Sequence, residues 1–478
     1  MSSQTDAPGL EQSQRRMREA GVATAAIDVF TRFYRLLESG ETGMIPEADV
    51  EPLTDVAHRD ALDVPADDAR TALGRTAIIK LNGGLGTSMG MDRAKSLLTV
   101  RDADPHRGAD ADPLTFLDVI VAQVRAARHA TGATLPLLLM NSFRTQADTL
   151  DALAPHDDLA VEGLPLDFLQ NREPKLLATD LTPVDWPADP GLEWCPPGHG
   201  DLYTALYASG ALRALLDAGY RYASVSNSDN LGAAPDAAMA GWFAASGAPF
   251  AAEVARRTPA DRKGGHLVVR RADGRIVLRE TAQTPDADAD AAADITRHRY
   301  FNTNNLWFDL EALAAELERT GGVLELPLIR NTKTVDPTDS SSPEVIQVES
   351  AMGAAVEVFD GAVAIEVGRD RFLPVKTTND LLVLRSDVYE LDDAYRFVAR
   401  ADAPLVDLDP AHYKTIAGFD ARFDDGTPSL RGARSLTVRG DWSFGGGVTV
   451  VDDARLDDEG GAARVPDGAV VGPDGVSD

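Results

Sequence analysis

The sequence is poor in the features that mark several large protein classes. It has one cysteine, Cys195, in 478 residues, which excludes an intrachain disulfide framework and any cysteine-based zinc site. A reducing, cytoplasmic setting fits that count. Positive charge is scarce: 46 Lys and Arg face 76 Asp and Glu, a formal net charge of −30. Duplex nucleic acid and anionic membranes reward basic patches, so neither is expected as a partner. No apolar run approaches the roughly 20 residues needed to span a bilayer. The start, Met1-Ser2-Ser3-Gln4-Thr5-Asp6, lacks the basic and apolar regions of a signal peptide. What remains is an ordinary globular balance, 44% hydrophobic and 26% charged, with length for about three domains.

The acidity sets a condition on chemistry. Any phosphate site in this chain must be a local cluster of lysines and backbone N–H groups inside a repelling field.

Residues 1–75 read as a helical accessory region. Val22, Ile27, Phe30, Phe33, Tyr34 and Leu37 fall near helical spacing, and Gly40 is placed to end the helix. From 76 to 391 strand-like and helix-like segments alternate, the pattern of an α/β domain with a largely parallel sheet. Three apolar strands, Ala77–Leu81, Leu135–Met140 and Tyr222–Ser226, each run into a polar or Gly-rich loop. In open α/β sheets ligands bind beyond such strand ends. Asp201 is placed to N-cap a helix lined by Leu202, Leu206, Leu212 and Leu216 and ended by Gly219. The Asp/Ala-rich runs Arg101–Pro113 and Thr284–Asp294 read as solvated acidic loops. Residues 392–478 read as a linker followed, beyond Ala411, by short Val-rich strands alternating with Gly and Asp turns, which suggests a small all-β or β-solenoid tail.

The most informative segment is Lys80-Leu81-Asn82-Gly83-Gly84-Leu85-Gly86-Thr87-Ser88-Met89-Gly90-Met91-Asp92-Arg93-Ala94-Lys95. Its glycines let a backbone approach a ligand closely and permit positive φ, and successive N–H groups can form an anion-binding hollow. Lys95 adds a full charge at the far end. The P-loop spacing fails, since Ala94 precedes Lys95, and the Gly-x-Gly-x-x-Gly fingerprint is out of register.

This loop resembles the nucleotide-binding loop of the eukaryotic-type UDP-glucose pyrophosphorylase family. Further segments follow in that family's order: Asn141-Ser142-Phe143, Phe168-Leu169-Gln170, Glu173-Pro174-Lys175, Trp194-Cys195-Pro196-Pro197-Gly198-His199-Gly200-Asp201, Ser226-Asn227-Ser228-Asp229-Asn230, Phe301-Asn302-Thr303-Asn304-Asn305, Gln347–Gly353 and Arg371–Thr378. The resemblance covers about residues 76–391. It departs where the family usually has Gly-Pro-Lys and this chain has Arg93-Ala94-Lys95; proline would stiffen that turn.

The resemblance implies a central mixed, mostly parallel sheet of the nucleotide-diphospho-sugar transferase (Rossmann-like) type. A small C-terminal β-helix domain follows, which in the family often mediates homo-oligomer assembly. It implies direct transfer, with a glucose 1-phosphate oxygen attacking the α-phosphorus of UTP and Mg²⁺ as cofactor. Such a reaction needs positioning and charge compensation more than covalent chemistry. Lys95 and Lys376 are then the catalytic cations. Leu81, Asn82, Gly83, Gly84, Lys95, Gln170, Gly198, Asp229 and Lys376 bind UTP, with Gln170 as the uracil reader and Asp229 as the metal ligand. His199, Asn227, Ser228, Asp229, Asn302, Thr303 and Asn304 face the sugar phosphate, with Glu280 a weaker candidate. Cys195, between Trp194 and Pro196, is not expected to be a nucleophile. Other readings are a UDP-N-acetylglucosamine or broad UDP-sugar pyrophosphorylase, and a non-catalytic nucleotide-sugar binding protein. The Leu81–Gly86 form of the loop favours glucose, and a silent scaffold predicts loss of Lys95, Asp229 or Lys376, all of which are present.

Overall fold

The computed structural model describes residues 8–104, 106, 112–258, 261 and 264–477. The reading of Met1–Asp6 therefore lies outside the described residues, as do positions 105 and 107–111 of the acidic run Arg101–Pro113.

A large mixed sheet organises the molecule. Its main strands are β1 (Ala57–His58), β2 (Thr76–Asn82), β3 (Leu137–Asn141), β4 (Asp167–Leu169), β5 (Tyr222–Asn227), β6 (Phe250–Arg256), β7 (Tyr300–Asp309) and β8 (Val363–Val367). Their order is β1-β8-β6-β7-β5-β2-β3-β4. Along this path only β7 runs against its neighbours. The expected parallel character therefore holds for the main path. The side strands Val50–Pro52, His266–Arg270 and Ile276–Arg279 add antiparallel pairing.

Every residue of β2 and β3 is buried, which is why both read as nearly unbroken apolar runs: a strand covered on both faces has no solvent side. Alternation assigns the faces. Ile78 joins the core that contains helix Phe116–Thr131, while Ala77, Ile79 and Leu81 join the core that contains Leu202, Leu206 and Leu215.

Helices α1 (Pro8–Glu19) and α2 (Thr24–Glu38) lie outside this sandwich. Ile27, Phe30, Phe33, Tyr34 and Leu37 form the apolar stripe of α2, which packs on Leu176, Leu328, Ile346 and Val348. Gly40, at φ +78, follows the helix end as expected. The rest of the region is mixed: Ala66–Gly74 is a third helix, as the helical reading expected, while Val50–Pro52 and β1 turn to strand and join the main sheet.

The leucine pattern from 202 to 216 predicted one helix and gives two. Leu202–Ala208 and Ala211–Asp217 are separated at Gly210, whose φ is +80. Asp201 precedes the first helix but makes no side-chain cap. The acidic run Thr284–Asp294 also folds locally, into Asp286–Asp288 and helix Ala289–Ala293, and Asp288 accepts from the Glu47 N–H at 2.8 Å.

The C-terminal strands Leu405–Asp407, Ser429–Val438, Thr449–Leu456 and Val470–Gly472 stack in parallel, flanked by the parallel pair Trp442–Phe444 and Ala463–Val465. Tyr413, Phe419, Phe423 and Leu436 share one core with Val100, Phe116 and Leu381. The tail is thus packed firmly onto the α/β unit.

Candidate functional site

Strand register aligns one rim of the sheet. Asn82 pairs with Asn141, Asn141 with Leu169, and Leu81 with Asn227, so β2, β3, β4 and β5 all end together. Antiparallel β7 starts where β5 ends: Tyr222 pairs with Asp309 and Val225 with Leu306, which carries Asn302 and Asn304 toward the same rim. β8 runs parallel to β6 and feeds the segment Gly368–Lys376 to it. Residues far apart in the chain meet here because strand ends meet here.

The glycine loop folds back on itself. The Lys95 N–H donates to Gly84 O at 3.0 Å, with Gly86 and Gly90 at φ +65 and +73. Ala94 sits at φ −53, close to the value proline would impose, so the loop keeps that shape without the family's proline. The Lys95 ammonium then crosses the rim. It donates to Asp229 Oδ2 at 2.6 Å and to the carbonyl of Val375, the residue before Lys376. Lys95 and Asp229 side chains are 14% and 22% exposed, sheltered but reachable. The Asp229 turn is fixed on both sides: Ser228 N–H donates to Leu81 O at 3.0 Å, and Val375 N–H to Asp229 O at 3.2 Å. Lys376 itself is exposed. Its Nζ lies 5.7 Å from the centre of the Phe301 ring, and its N–H donates to Asp380 Oδ2 at 2.8 Å.

On the other flank, Gln170 Nε2 donates to Gly198 O at 2.9 Å. One of the two amide N–H groups is thereby used, and the oxygen is left as an acceptor. That oxygen faces Gly83, where an added Cβ would come within 2.9 Å of it. Gly198 has φ +76 and lies against Ser350, so a side chain there would strike Ser350 O at 2.6 Å. His199 follows. Its Nδ1 accepts from Met352 N–H at 2.9 Å, which makes Nε2 the protonated nitrogen of a neutral ring. Burial pushes its pKa down to about 4, so the neutral form persists at ordinary pH.

Not every expected residue offers its side chain. Asn82 is buried, donating to Asn141 Oδ1 and Thr149 Oγ1, both at 2.9 Å, and Leu81 is buried in the core. Both present backbone alone to the loop. Thr303 points to the opposite face from Asn302 and Asn304, as strand alternation requires, and donates to Glu253 O at 2.7 Å. Asn302 donates to Asn304 Oδ1 at 2.9 Å, and Asn304 adopts φ +58. Asn227 ends β5, and Ser228 is buried beside it. Glu280 is raised in pKa by burial and lowered by Lys376, which places it near that lysine.

Sequence reasoning missed the support beneath the rim. Arg371 and Glu253 form a buried bidentate pair at 2.8 and 2.7 Å, 4% and 0% exposed. Glu253 also accepts from Asn305 Nδ2 at 3.0 Å and Trp307 Nε1 at 2.9 Å. Burial pushes the Glu253 pKa up, but Arg371 and these donors outweigh it and leave it lowered. The Arg371 carbonyl accepts from both Asn230 and Asn305, which ties the Asp229 turn to the Lys376 segment. Lys80 lies under the loop, buried and donating to Ser226 Oγ and Ala233 O; burial first, then Arg371, brings its pKa down to about 7. Two cavities of about 350 and 390 Å³, beside Tyr395 and beside Tyr207, contain none of the rim residues.

A glycine loop, a lysine–carboxylate pair and a set of side-chain amides on the carboxyl rim of a mixed sheet make this an α/β protein of the nucleotide-handling class. Residues 27–451 match the model of the UTP--glucose-1-phosphate uridylyltransferase family, and the chain belongs to that family. It is 38% identical over 444 residues to the UTP--glucose-1-phosphate uridylyltransferase of Hordeum vulgare, covering 91% of this chain and 89% of that one. The Saccharomyces cerevisiae protein of the same name is 38% identical over 385 residues, 79% of this chain and 73% of its own. Among solved structures, a mutant UDP-glucose pyrophosphorylase from Leishmania major in complex with UDP-glucose superposes with a TM-score of 0.90 at 40% identity, covering 98% and 99% of the two chains. A UDP-glucose phosphorylase from Trypanosoma brucei gives 0.86 at 40% identity, covering 98% and 100%.

Proposed function

We propose that this chain converts UTP and glucose 1-phosphate to UDP-glucose and pyrophosphate by direct in-line transfer. A phosphate oxygen of glucose 1-phosphate bonds to the α-phosphorus of UTP as the bond to pyrophosphate breaks, and pyrophosphate leaves with the electron pair. The observation that carries this reading is the Lys95 ammonium bridging the Asp229 carboxylate and the Val375 carbonyl. One ammonium group joins the glycine loop, the Asp229 turn and the Lys376 segment.

Lys95 serves the UTP phosphates from the glycine loop, and Lys376 offsets the charge that grows on the transferring phosphoryl group. The backbone around Leu81, Asn82, Gly83 and Gly84 cradles the nucleotide. Gln170 presents an acceptor to the uracil N3–H, which cytosine lacks. His199 donates from Nε2–H to the sugar phosphate; it need not act as a base, because the attacking phosphate is already ionised. Asn227, Asn302 and Asn304 face the sugar, and Thr303 holds their strand.

Asp229 is the residue that would hold Mg²⁺, which when bound supplies charge neutralisation across the nucleotide phosphates. Among the described residues no three His, Cys, Asp or Glu side chains gather to cage a metal. A lone carboxylate suits Mg²⁺, which completes its shell with phosphates and water.

We divide the chain at 75/76 and 391/392 and read the C-terminal parallel ladder as a short β-helix. Exposed Leu405 and Val476 on that tail support it as a surface for self-association. A buried lone Cys195, its thiol pKa pushed up by burial, suits a reducing cytoplasm and gives no nucleophile.

The test is UTP against a panel of sugar 1-phosphates, following pyrophosphate. Glucose 1-phosphate is expected to react best. Preference for N-acetylglucosamine 1-phosphate overturns the sugar assignment, and no pyrophosphate from any sugar overturns the activity.

A further inference from the structure

The base side of the rim is assembled from two separate segments, the turn after β4 that carries Gln170 and the turn Gly198–Asp201. One hydrogen bond between Gln170 and Gly198 closes the top of this junction. Its base is held by Asp201. Both carboxylate oxygens accept from a single residue, Asn171: Oδ2 from its N–H at 2.6 Å and Oδ1 from its side-chain amide at 2.9 Å. Asp201 is 5% exposed and has left its position as a helix cap unused to make this contact. Gln170 is thus gripped from below by its neighbour in sequence and from above by Gly198.

We propose that Asp201 is the positioning residue of the base subsite, fixing the Gln170 amide through Asn171 so that an acceptor faces the nucleobase. It touches no substrate. It acts by keeping two turns in register, and this deepens the uridylyl-transfer reading on which it rests.

The surroundings make the grip sensitive to protonation. Glu173 lies next to Asp201, buried, with Oε1 among the side-chain atoms that have no hydrogen-bond partner. Glu349 stands beyond Glu173, neutral His199 shares the Asp201 turn, and Tyr203 lies in the first turn of the next helix. Among the described residues no cation pairs with Asp201. Burial pushes its pKa up to about 7, against the two Asn171 hydrogen bonds. Protonation removes an acceptor oxygen from a place where both neighbours are donors, so the grip is firm above that pH and slackens below it.

The experiment compares wild type, Asp201→Asn and Asn171→Ala in steady-state kinetics with UTP and CTP between pH 6 and pH 8. Loss of a buried, charge-assisted hydrogen bond predicts a rise in KM for UTP of about tenfold or more. The preference for UTP over CTP should fall with it, while kcat and the KM for glucose 1-phosphate move less than about threefold. The wild-type KM for UTP should rise as pH falls through about 7, relative to a flatter Asp201→Asn profile. Asn171→Ala removes only one donor from a half-buried site, so it carries the test if Asp201→Asn does not fold. Unchanged KM and base preference in the folded variants overturn the proposal. Wild type that makes no UDP-glucose instead overturns the reading beneath it.

Discussion

At the scale of single residues, the chemistry depends on where charge is left free and where it is spent. Lys95 is committed to Asp229 and Val375, whereas Lys376 is exposed and leans on the Phe301 ring. An anchored but accessible ammonium is suited to charge that appears only in the transition state. Lys376→Ala is therefore expected to lower kcat at least ~10²-fold, the scale of losing one preorganised electrostatic partner. KM for UTP should change far less. Turnover within a few-fold of wild type removes Lys376 from the mechanism.

Glu173 shows the opposite use of a charge. Burial, with Asp201 and Glu349 nearby, pushes its pKa well above the ordinary 4.5. A raised folded pKa means the folded chain holds a proton that the unfolded chain releases. The stabilisation is full below the unfolded value and is lost as pH rises toward the folded one. Glu173→Gln removes that loss, so its thermal midpoint should gain on wild type steadily from pH 5 to pH 8. Parallel midpoint curves would show that Glu173 ionises without cost. Both residues stood in quoted motifs, yet neither burial nor neighbours can be read from a motif.

At the scale of elements, the site is a set of turns whose paths are forced. Gly198 illustrates this best, because its φ of +76 and its contact with Ser350 each exclude a side chain. Gly198→Ala should raise KM for UTP about tenfold or more, combining left-handed strain of about 1 kcal/mol with displacement of the turn. Gly219, at φ +88 with nothing near its missing Cβ, provides the control: Gly219→Ala should cost stability and leave KM alone. Equal KM values for the two variants would refute the geometric argument.

The same scale explains what was legible in the sequence. Covered parallel strands announce themselves as apolar runs, and a loop that needs positive φ announces itself as glycine. The leucines from 202 to 216 kept helical spacing across a break that only Gly210 signals. Asp201 looked like a helix cap because capping is local, whereas its true partner is Asn171, 30 positions away. Arg371 and Glu253 are 118 positions apart, and nothing in either segment names the other. Thr303 was grouped with its asparagine neighbours although alternation along β7 turns it away.

At the scale of the whole molecule, the net charge of −30 opposes both substrates, which are themselves anionic. Local lysines make the site attractive at contact, but the approach crosses a field set by the entire surface. The Debye length falls from about 30 Å at 0.01 M salt to about 8 Å at 0.15 M. Over that range the distant acidic surface is screened, while the Lys95–Asp229 and Lys376 contacts, at a few ångströms, persist. kcat/KM for UTP at fixed free Mg²⁺ should therefore rise with added salt up to about 0.15 M, then flatten. A protein that steered anions through a basic surface would show the reverse. A monotonic fall from the lowest salt would mean that the lysines at the rim, and not the acidic body, govern the encounter.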